Sequence, residues 1–163
     1  MAGIHFYTIG IRYPGDNVMP AEYERFFDLS SFAVVGRSEA KPFPLLSYRG
    51  LKSRGKTVYA VDPSAAAIDG DTAYPDLRAL PKPVEGVIIE VPKEETRHWV
   101  AAAADAGIGD VWVHMGHETP ESVALAKERG VRLRAGTCAV MYLAPTLSYH
   151  GVHKAIMKLM GKY

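Results

Sequence analysis

The stretch that decides the fold is Phe32-Ala33-Val34-Val35-Gly36-Arg37-Ser38. Four apolar residues end abruptly in Gly-x-Ser, and a basic residue, Lys41, lies just beyond them. A strand that is apolar on both faces is typical of a parallel sheet covered by helices on both sides. A glycine-containing loop after such a strand allows backbone N–H groups and a helix N-terminus to face an anion. The stretch therefore predicts a nucleotide-like ligand at the carboxyl end of the first strand.

Composition narrows the class of protein. The chain has 163 residues, of which 48% are hydrophobic and 23% charged, with a net charge of +1 and a single cysteine, Cys138. One domain of this length can bury a substantial core. The near-zero charge argues against a nucleic-acid partner, and no apolar run is long enough to cross a membrane. No signal peptide is recognised at the N-terminus, and a lone cysteine fits a reducing compartment, so we expect a cytoplasmic protein.

Apolar strands alternate with helical segments from residue 31 onward. Strands are predicted at 31–35, 57–61, 87–91, 110–114 and 131–135, and helices at 45–54, 74–80, 93–106, 120–129 and 152–159. Residues 68–71, Ile-Asp-Gly-Asp, are predicted to form a turn. This alternation predicts an α/β fold, a Rossmann-like doubly wound parallel five-stranded sheet in the order 3-2-1-4-5 with helices on both faces. Ligands would then bind beyond the carboxyl ends of the first and fourth strands, where the winding reverses.

The first 29 residues differ from the rest. Residues 4–9 have the composition of an extra strand, and residues 20–27 that of a leading helix. We therefore divide the chain into an N-terminal extension, 1–29, and a Rossmann-like domain, 30–163. The sequence does not decide whether the extension packs on this domain or on a partner subunit.

An ordered series of motifs at the strand ends carries a resemblance to a known family. The motifs are Ala33-Val34-Val35-Gly36-Arg37-Ser38, Val58-Tyr59-Ala60-Val61-Asp62-Pro63, Glu90-Val91-Pro92, Val111-Trp112-x-x-Met115-Gly116 and Gly136-Thr137-Cys138-x-x-Met141. The series resembles the stand-alone CoA-binding-domain proteins, whose domain is similar to the CoA-binding part of the succinyl-CoA synthetase α subunit. The resemblance implies binding of coenzyme A or acyl-CoA, with Met115, Gly116 and Cys138 among the residues near the ligand.

The chain departs from the family pattern at two places. Lys41-Pro42-Phe43-Pro44 stands where the family usually has a small residue in the phosphate loop, and proline contributes no N–H donor. Asp62-Pro63 stands where the family usually has Asn-Pro. An acid at this position is the kind of group that binds the ribose 2′-OH of NAD. An NAD(P)-binding oxidoreductase and a nucleotide-responsive regulatory module therefore remain alternatives.

The first loop is the predicted phosphate site. It would offer the N–H groups of Arg37 and Ser38, the Ser38 hydroxyl and the charge of Lys41, and a diphosphate needs such convergent donors. The alternative is that Gly36 only permits a tight turn from strand to helix.

Two proline-containing strand ends are the predicted adenine–ribose pocket. Asp62-Pro63 and Val91-Pro92 would form its walls. The alternative is that each proline simply ends its strand.

Cys138 and the loop after the fourth strand allow other chemistry. Cys138 would exchange thiols with CoA, accept an acyl group or pair with His114 if it were activated, but lone cysteines are more often buried packing residues. His114, His117, Glu118 and Cys138 are residue types that bind zinc. Their spacing does not match a regular site, so we assign no metal and no catalytic residue.

The sequence as a whole favours a non-enzymatic protein that binds CoA or acyl-CoA. The thiol of the ligand would lie in the crevice between the first and fourth strands, 31–35 and 110–114. We expect a small-molecule nucleotide as the partner, no nucleic acid and no membrane, with a homo-oligomer as an option.

Overall fold

A computed structural model of the protein describes residues 20–143. Its centre is a seven-stranded sheet in the order β3-β4-β2-β1-β5-β6-β7. In chain order the strands are β1 (Ser31–Val35), β2 (Thr57–Val61), β3 (Ala67–Ile68), β4 (Asp71–Tyr74), β5 (Gly86–Ile89), β6 (Asp110–Val113) and β7 (Arg132–Arg134). The α/β class and the mostly parallel sheet are confirmed, and all five predicted strands are present.

The strand count and order differ from the prediction. β1 pairs in parallel with β2 on one side and with β5 on the other. The order 3-2-1-4-5 placed segment 87–91 beside 57–61, but β4 occupies that side of β2. The winding therefore reverses between β1 and β5, and β5 separates β1 from β6. The predicted crevice between strands 31–35 and 110–114 was wrong in this respect, because the end of β5 lies between them.

The additional strands β3 and β4 form an antiparallel hairpin. Its turn residues, Asp69 and Gly70, have φ angles of 53° and 83°, and positive φ at both central residues is the requirement of a type I′ hairpin turn. The turn was predicted, but its flanking strands were not. The helix predicted at 74–80 was wrong: Asp76 instead accepts the N–H groups of Arg78 and Ala79 at 2.7 and 2.9 Å in a local turn.

Helices cover both faces of the sheet, as predicted. They are α1 (Pro20–Phe26), α2 (Leu45–Ser53), α3 (Thr96–Asp105), α4 (Pro120–Glu128) and α5 (Val140–Leu143), with one turn of 3₁₀ helix at Lys93–Glu95. The predicted helix 152–159 and the possible strand 4–9 lie outside the described residues. Within residues 20–143, no helix is long and apolar enough to span a membrane.

Alternate residues of the strands face two apolar layers. Phe32 and Val34 of β1 join one layer, with α1, α2 and α5, whereas Ala33 and Val35 join the other, with α3 and α4. Since β1 is buried on both faces, its continuous apolar run follows from its central position.

The indole of Trp112 joins α1 to the sheet. Trp112 is fully buried, and its ring centroid lies 5.2–5.5 Å from those of Tyr23, Phe26, Phe27 and Tyr142. Its Nε1–H donates to the Thr137 carbonyl at 3.2 Å. The part of the N-terminal segment that the structure describes therefore packs on this domain.

Strand β7 forms one edge of the sheet and carries paired charges. Asp110 Oδ1 accepts from Arg132 Nε at 3.0 Å and from an Arg134 guanidinium nitrogen at 2.8 Å. The Arg134 guanidinium also lies 5.2 Å from the centre of the Phe26 ring. Burial alone would raise the pKa of Asp110, but the hydrogen bonds and charges of the two arginines outweigh it and lower the pKa.

Candidate functional site

The candidate site lies where β1 and β5 end, because the sheet winding reverses there. Gly36 follows β1, and its N–H donates to the Val61 carbonyl at 3.0 Å. A Cβ atom on Gly36 would lie only 2.5 Å from Phe43 Cδ2 and 2.7 Å from Pro44 Cδ. Glycine is thus required here because the Phe43-Pro44 segment packs directly on the backbone.

We expect Gly36→Ala to lower the free energy of unfolding by about 1–3 kcal/mol, since overpacking forces neighbouring groups to move. Urea unfolding measures the change. Gly109→Ala is the matched control, because a Cβ there meets nothing within 4 Å. Equal stability of the two variants would contradict the packing role of Gly36.

The carboxylate of Asp62 ties the first loop to the end of β2. Its Oδ2 accepts the N–H of Ser38 at 2.8 Å and the Ser38 hydroxyl, and its Oδ1 accepts the N–H and hydroxyl of Ser64 at 2.9 and 2.6 Å. Burial would raise the pKa of Asp62, but these four hydrogen bonds outweigh it and lower the pKa. Four bonds use the acceptor capacity of a carboxylate. Both donors predicted for Ser38 are therefore engaged by the protein itself.

The two basic side chains of the first loop, Arg37 and Lys41, differ in whether they have partners. Arg37 pairs with Glu95 at 3.2 Å and with Glu39 at 3.5 Å. The half-buried Lys41 makes no side-chain hydrogen bond or ion pair within residues 20–143. Its ammonium group is the predicted anion-binding group that the described part of the chain leaves free.

The N-terminus of α2 follows this loop and is uncapped. Pro44 is the N-cap residue and provides no side-chain hydrogen bond. The N–H groups of Leu46 and Ser47 have no acceptor among the described residues. Free N–H groups and the helix dipole favour an anion at this position. The sequence analysis assigned the N–H donors to the loop before α2. Pro44, the N-cap residue of α2, was the residue that could have indicated the free N–H groups of the helix itself.

A chain of polar groups runs across the site beside α2. The hydroxyl of Ser47 donates to Glu90 Oε1, and Glu90 Oε2 lies 3.4 Å from His114 Nδ1. The ring of His117 contacts that of His114 edge-on, with 4.9 Å between centroids, and its Nδ1 lies 2.6 Å from the Val91 carbonyl oxygen. Glu90 is only 8% exposed. The sequence analysis did not assign Ser47 or Glu90, although a carboxylate inside the apolar run 87–91 was a usable signal.

The predicted adenine–ribose walls lie on opposite sides of β1. Asp62-Pro63 follows β2 and Val91-Pro92 follows β5, and these strands flank β1 rather than each other. Val91 is buried, Pro92 half-buried and Pro63 exposed. The two segments therefore do not form one wall, although either can border a ligand that crosses the end of β1.

Two exposed apolar side chains are sequence neighbours of residues in the chain of polar groups. Leu46, beside Ser47 in α2, is 63% exposed, and Met115, beside His114, is 50% exposed. Gly116 follows with a φ of 80° and turns the chain there. Exposed apolar side chains therefore follow or precede two members of the polar chain, Ser47 and His114, in the sequence.

Cys138 is half-buried after β7 and packs against the layer that contains Trp112. Burial, together with the charge of Glu90, raises the pKa of its thiol. A raised pKa opposes thiolate formation, which favours the packing interpretation over a reactive cysteine. Within residues 20–143, no three His, Cys, Asp or Glu side chains are grouped so as to hold a metal ion.

The parallel sheet, the helices on both faces and the site at the winding reversal define a Rossmann-like α/β domain. The family model described as "CoA binding domain" matches residues 30–144, and the chain belongs to this family. The resemblance seen in the strand-end motifs is thus confirmed.

Solved structures support the same fold. A hypothetical protein from Pyrococcus horikoshii OT3 is 24% identical, with a TM-score of 0.68 over 80% of this chain and 94% of its own. A conserved hypothetical protein from Pyrococcus furiosus is 28% identical, with a TM-score of 0.60 over 68% and 96%.

One similar structure belongs to a much longer protein. The apo acetyl-coenzyme A synthetase 1 of Ca. Korarchaeum cryptofilum is 26% identical, with a TM-score of 0.55 over 68% of this chain but only 26% of its own. No curated protein matches the sequence.

Proposed function

We propose that this protein binds coenzyme A or an acyl-CoA at the carboxyl ends of β1 and β5 and catalyses no reaction on it. The observation that carries the proposal is the free anion-binding group in a member of the CoA-binding domain family. It consists of the Lys41 ammonium and the N–H groups of Leu46 and Ser47.

The residues present fit a diphosphate. A phosphate needs a positive charge and N–H donors that converge on its oxygens. Lys41 supplies the charge, and the two N–H groups of α2 supply donors that no described group accepts. Lys41 therefore keeps the phosphate-binding role that the sequence analysis gave it. Arg37 and Ser38 would have to give up their present hydrogen bonds and ion pairs before they could bind the ligand.

The remaining part of the site fits the pantetheine arm. This arm is a chain of methylene and amide groups, and such a chain gains from contact with apolar side chains. Leu46, next to Ser47 in the sequence, and Met115, next to His114, provide exposed apolar surface. We therefore propose that the arm extends from α2 across the end of β5.

The alternative cofactor, NAD(P), is less well supported. It depended on Asp62 as the acceptor of a ribose hydroxyl. The Asp62 carboxylate is fully buried and already accepts four hydrogen bonds from Ser38 and Ser64. A ribose would have to displace these bonds, whereas a CoA diphosphate at Lys41 and α2 would leave them intact.

We expect Lys41→Ala to weaken CoA binding about tenfold, because it removes a charge-assisted contact with phosphate. Isothermal titration of the protein with CoA measures the change, and Lys82→Ala, at an exposed lysine between Pro81 and Pro83, is the control. The same titration with NAD tests the alternative. Absent CoA binding together with clear NAD binding would overturn the proposal.

A further inference from the structure

The carboxylate of Glu90 lies at ion-pair distance from the ring of His114. Glu90 Oε2 faces His114 Nδ1 at 3.4 Å, and the Ser47 hydroxyl occupies the other carboxylate oxygen. A carboxylate that faces one ring nitrogen favours the proton on that nitrogen, so the other, Nε2, carries the lone pair.

His114 is both oriented and accessible. The ring of His117 packs edge-on against it, and His117 is itself fixed by its contact with the Val91 carbonyl. The side chain of His114 is nevertheless 30% exposed, whereas that of Glu90 is 10% exposed. The ring of His114 is therefore reachable by a ligand, whereas the carboxylate of Glu90 is largely protected from water.

We infer that His114 takes the proton from the thiol of a bound CoA, so that the protein raises the fraction of this ligand that is present as thiolate. This inference rests on the proposed function, in which the pantetheine arm passes between Leu46 and Met115. In the step, the S–H bond breaks, an N–H bond forms at His114 Nε2, and the electron pair stays on sulfur. No oxidant or co-reactant is required, and the proton returns when the ligand leaves.

Groups from each surrounding element face this pair. Ser47 from α2 donates to Glu90, His117 lies against His114, and Cys138 follows β7. Because burial and the charge of Glu90 raise the pKa of Cys138, its thiol stays protonated near neutral pH. The positive charge on protonated His114 is thus available to the ligand thiolate rather than to Cys138.

The test is a pH titration of the saturated CoA complex, followed by the far-ultraviolet absorbance of the thiolate. The complex with dethio-CoA, in which hydrogen replaces the thiol, supplies the reference spectrum and removes protein contributions. We expect the thiol of bound CoA to ionise at least about one pH unit below that of free CoA, as an adjacent positive charge predicts.

Three variants separate the roles of the side chains. His114→Gln removes the base and should return the thiol pKa to that of free CoA. Glu90→Gln keeps a hydrogen-bond acceptor for Ser47 but removes the charge, and should reverse most of the shift. His98→Gln, at an exposed histidine of α3, should leave the shift unchanged. Thermal melting of each variant verifies that it is folded.

The outcomes distinguish this inference from the proposed function. CoA that binds with an unshifted thiol pKa overturns the inference and leaves the binding function in place. A shift that survives His114→Gln in a folded variant also overturns it. Absence of CoA binding in the calorimetric titration overturns the proposed function, and the inference falls with it.

Discussion

Trp112→Ala is expected to lower the free energy of unfolding by about 3–5 kcal/mol, the usual cost of replacing a buried tryptophan by alanine. Trp112 is fully buried, and four aromatic rings surround it, from α1, the residue after α1 and α5. Its removal would leave a cavity between these helices and β6. Urea unfolding measures the loss, with the fluorescence of Trp99, in the other apolar layer, as the probe.

Trp112→Phe is the matched control, because it keeps an aromatic ring and loses the hydrogen bond to the Thr137 carbonyl. It should cost clearly less than the alanine variant. In Trp112→Ala, α1 should also become more sensitive to limited proteolysis, since Tyr23, Phe26 and Phe27 lose their common contact. A loss below about 1 kcal/mol would show that α1 does not depend on this residue.

Asp62→Ala is expected to lower the free energy of unfolding by about 2–3 kcal/mol, because it leaves four donors of Ser38 and Ser64 without their acceptor. The loop after β1 would lose its attachment to the end of β2. Chemical unfolding at neutral pH measures the loss. Asp76→Ala is the control: its carboxylate accepts two N–H groups in an exposed turn, and it should cost less.

The effect of Asp62 also depends on pH, and the sign follows from its lowered pKa. A carboxyl group with a folded-state pKa below its unfolded value, about 3.9, contributes fully above that value and loses the contribution as pH falls through the folded pKa. The difference in stability between the wild type and Asp62→Asn should therefore be largest near neutral pH and shrink in acid. A difference that stays constant down to strongly acidic pH would contradict the role of the charge.

The strands of the central sheet could be predicted because short apolar runs of this kind suit only a strand that is buried on both faces. Phe32 to Val35 and Val87 to Ile89 are apolar runs too short for buried helices, and parallel strands are buried on both faces. The hairpin of β3 and β4 was not predicted, since β3 has two residues and its turn was recognised without its strands. The strand order was wrong because no residue pattern states which parallel strand lies beside which.

The position of the candidate site could be predicted from the sequence, but the hydrogen bonds and contacts between its side chains could not. Gly36 and Lys41 mark the end of β1 from sequence alone. The partner of Asp62, Ser38, is 24 residues away, and Ser47, Glu90 and His114 come from three separate elements. Side chains that meet only through the tertiary fold leave no periodic signal in the sequence. Asp62 therefore looked like a ribose ligand, whereas it holds the loop.

The edges of the sheet bear on how copies of this protein behave together. Unpaired strand edges can recruit a strand from another chain and start polymerisation. Here one edge is β3, which has only two residues, and the other is the three-residue β7, whose arginines are held by Asp110. A strand added to either edge would find only a few residues whose backbone groups it could pair with. The described edges thus discourage fibril growth, even though the strands between them are almost entirely apolar.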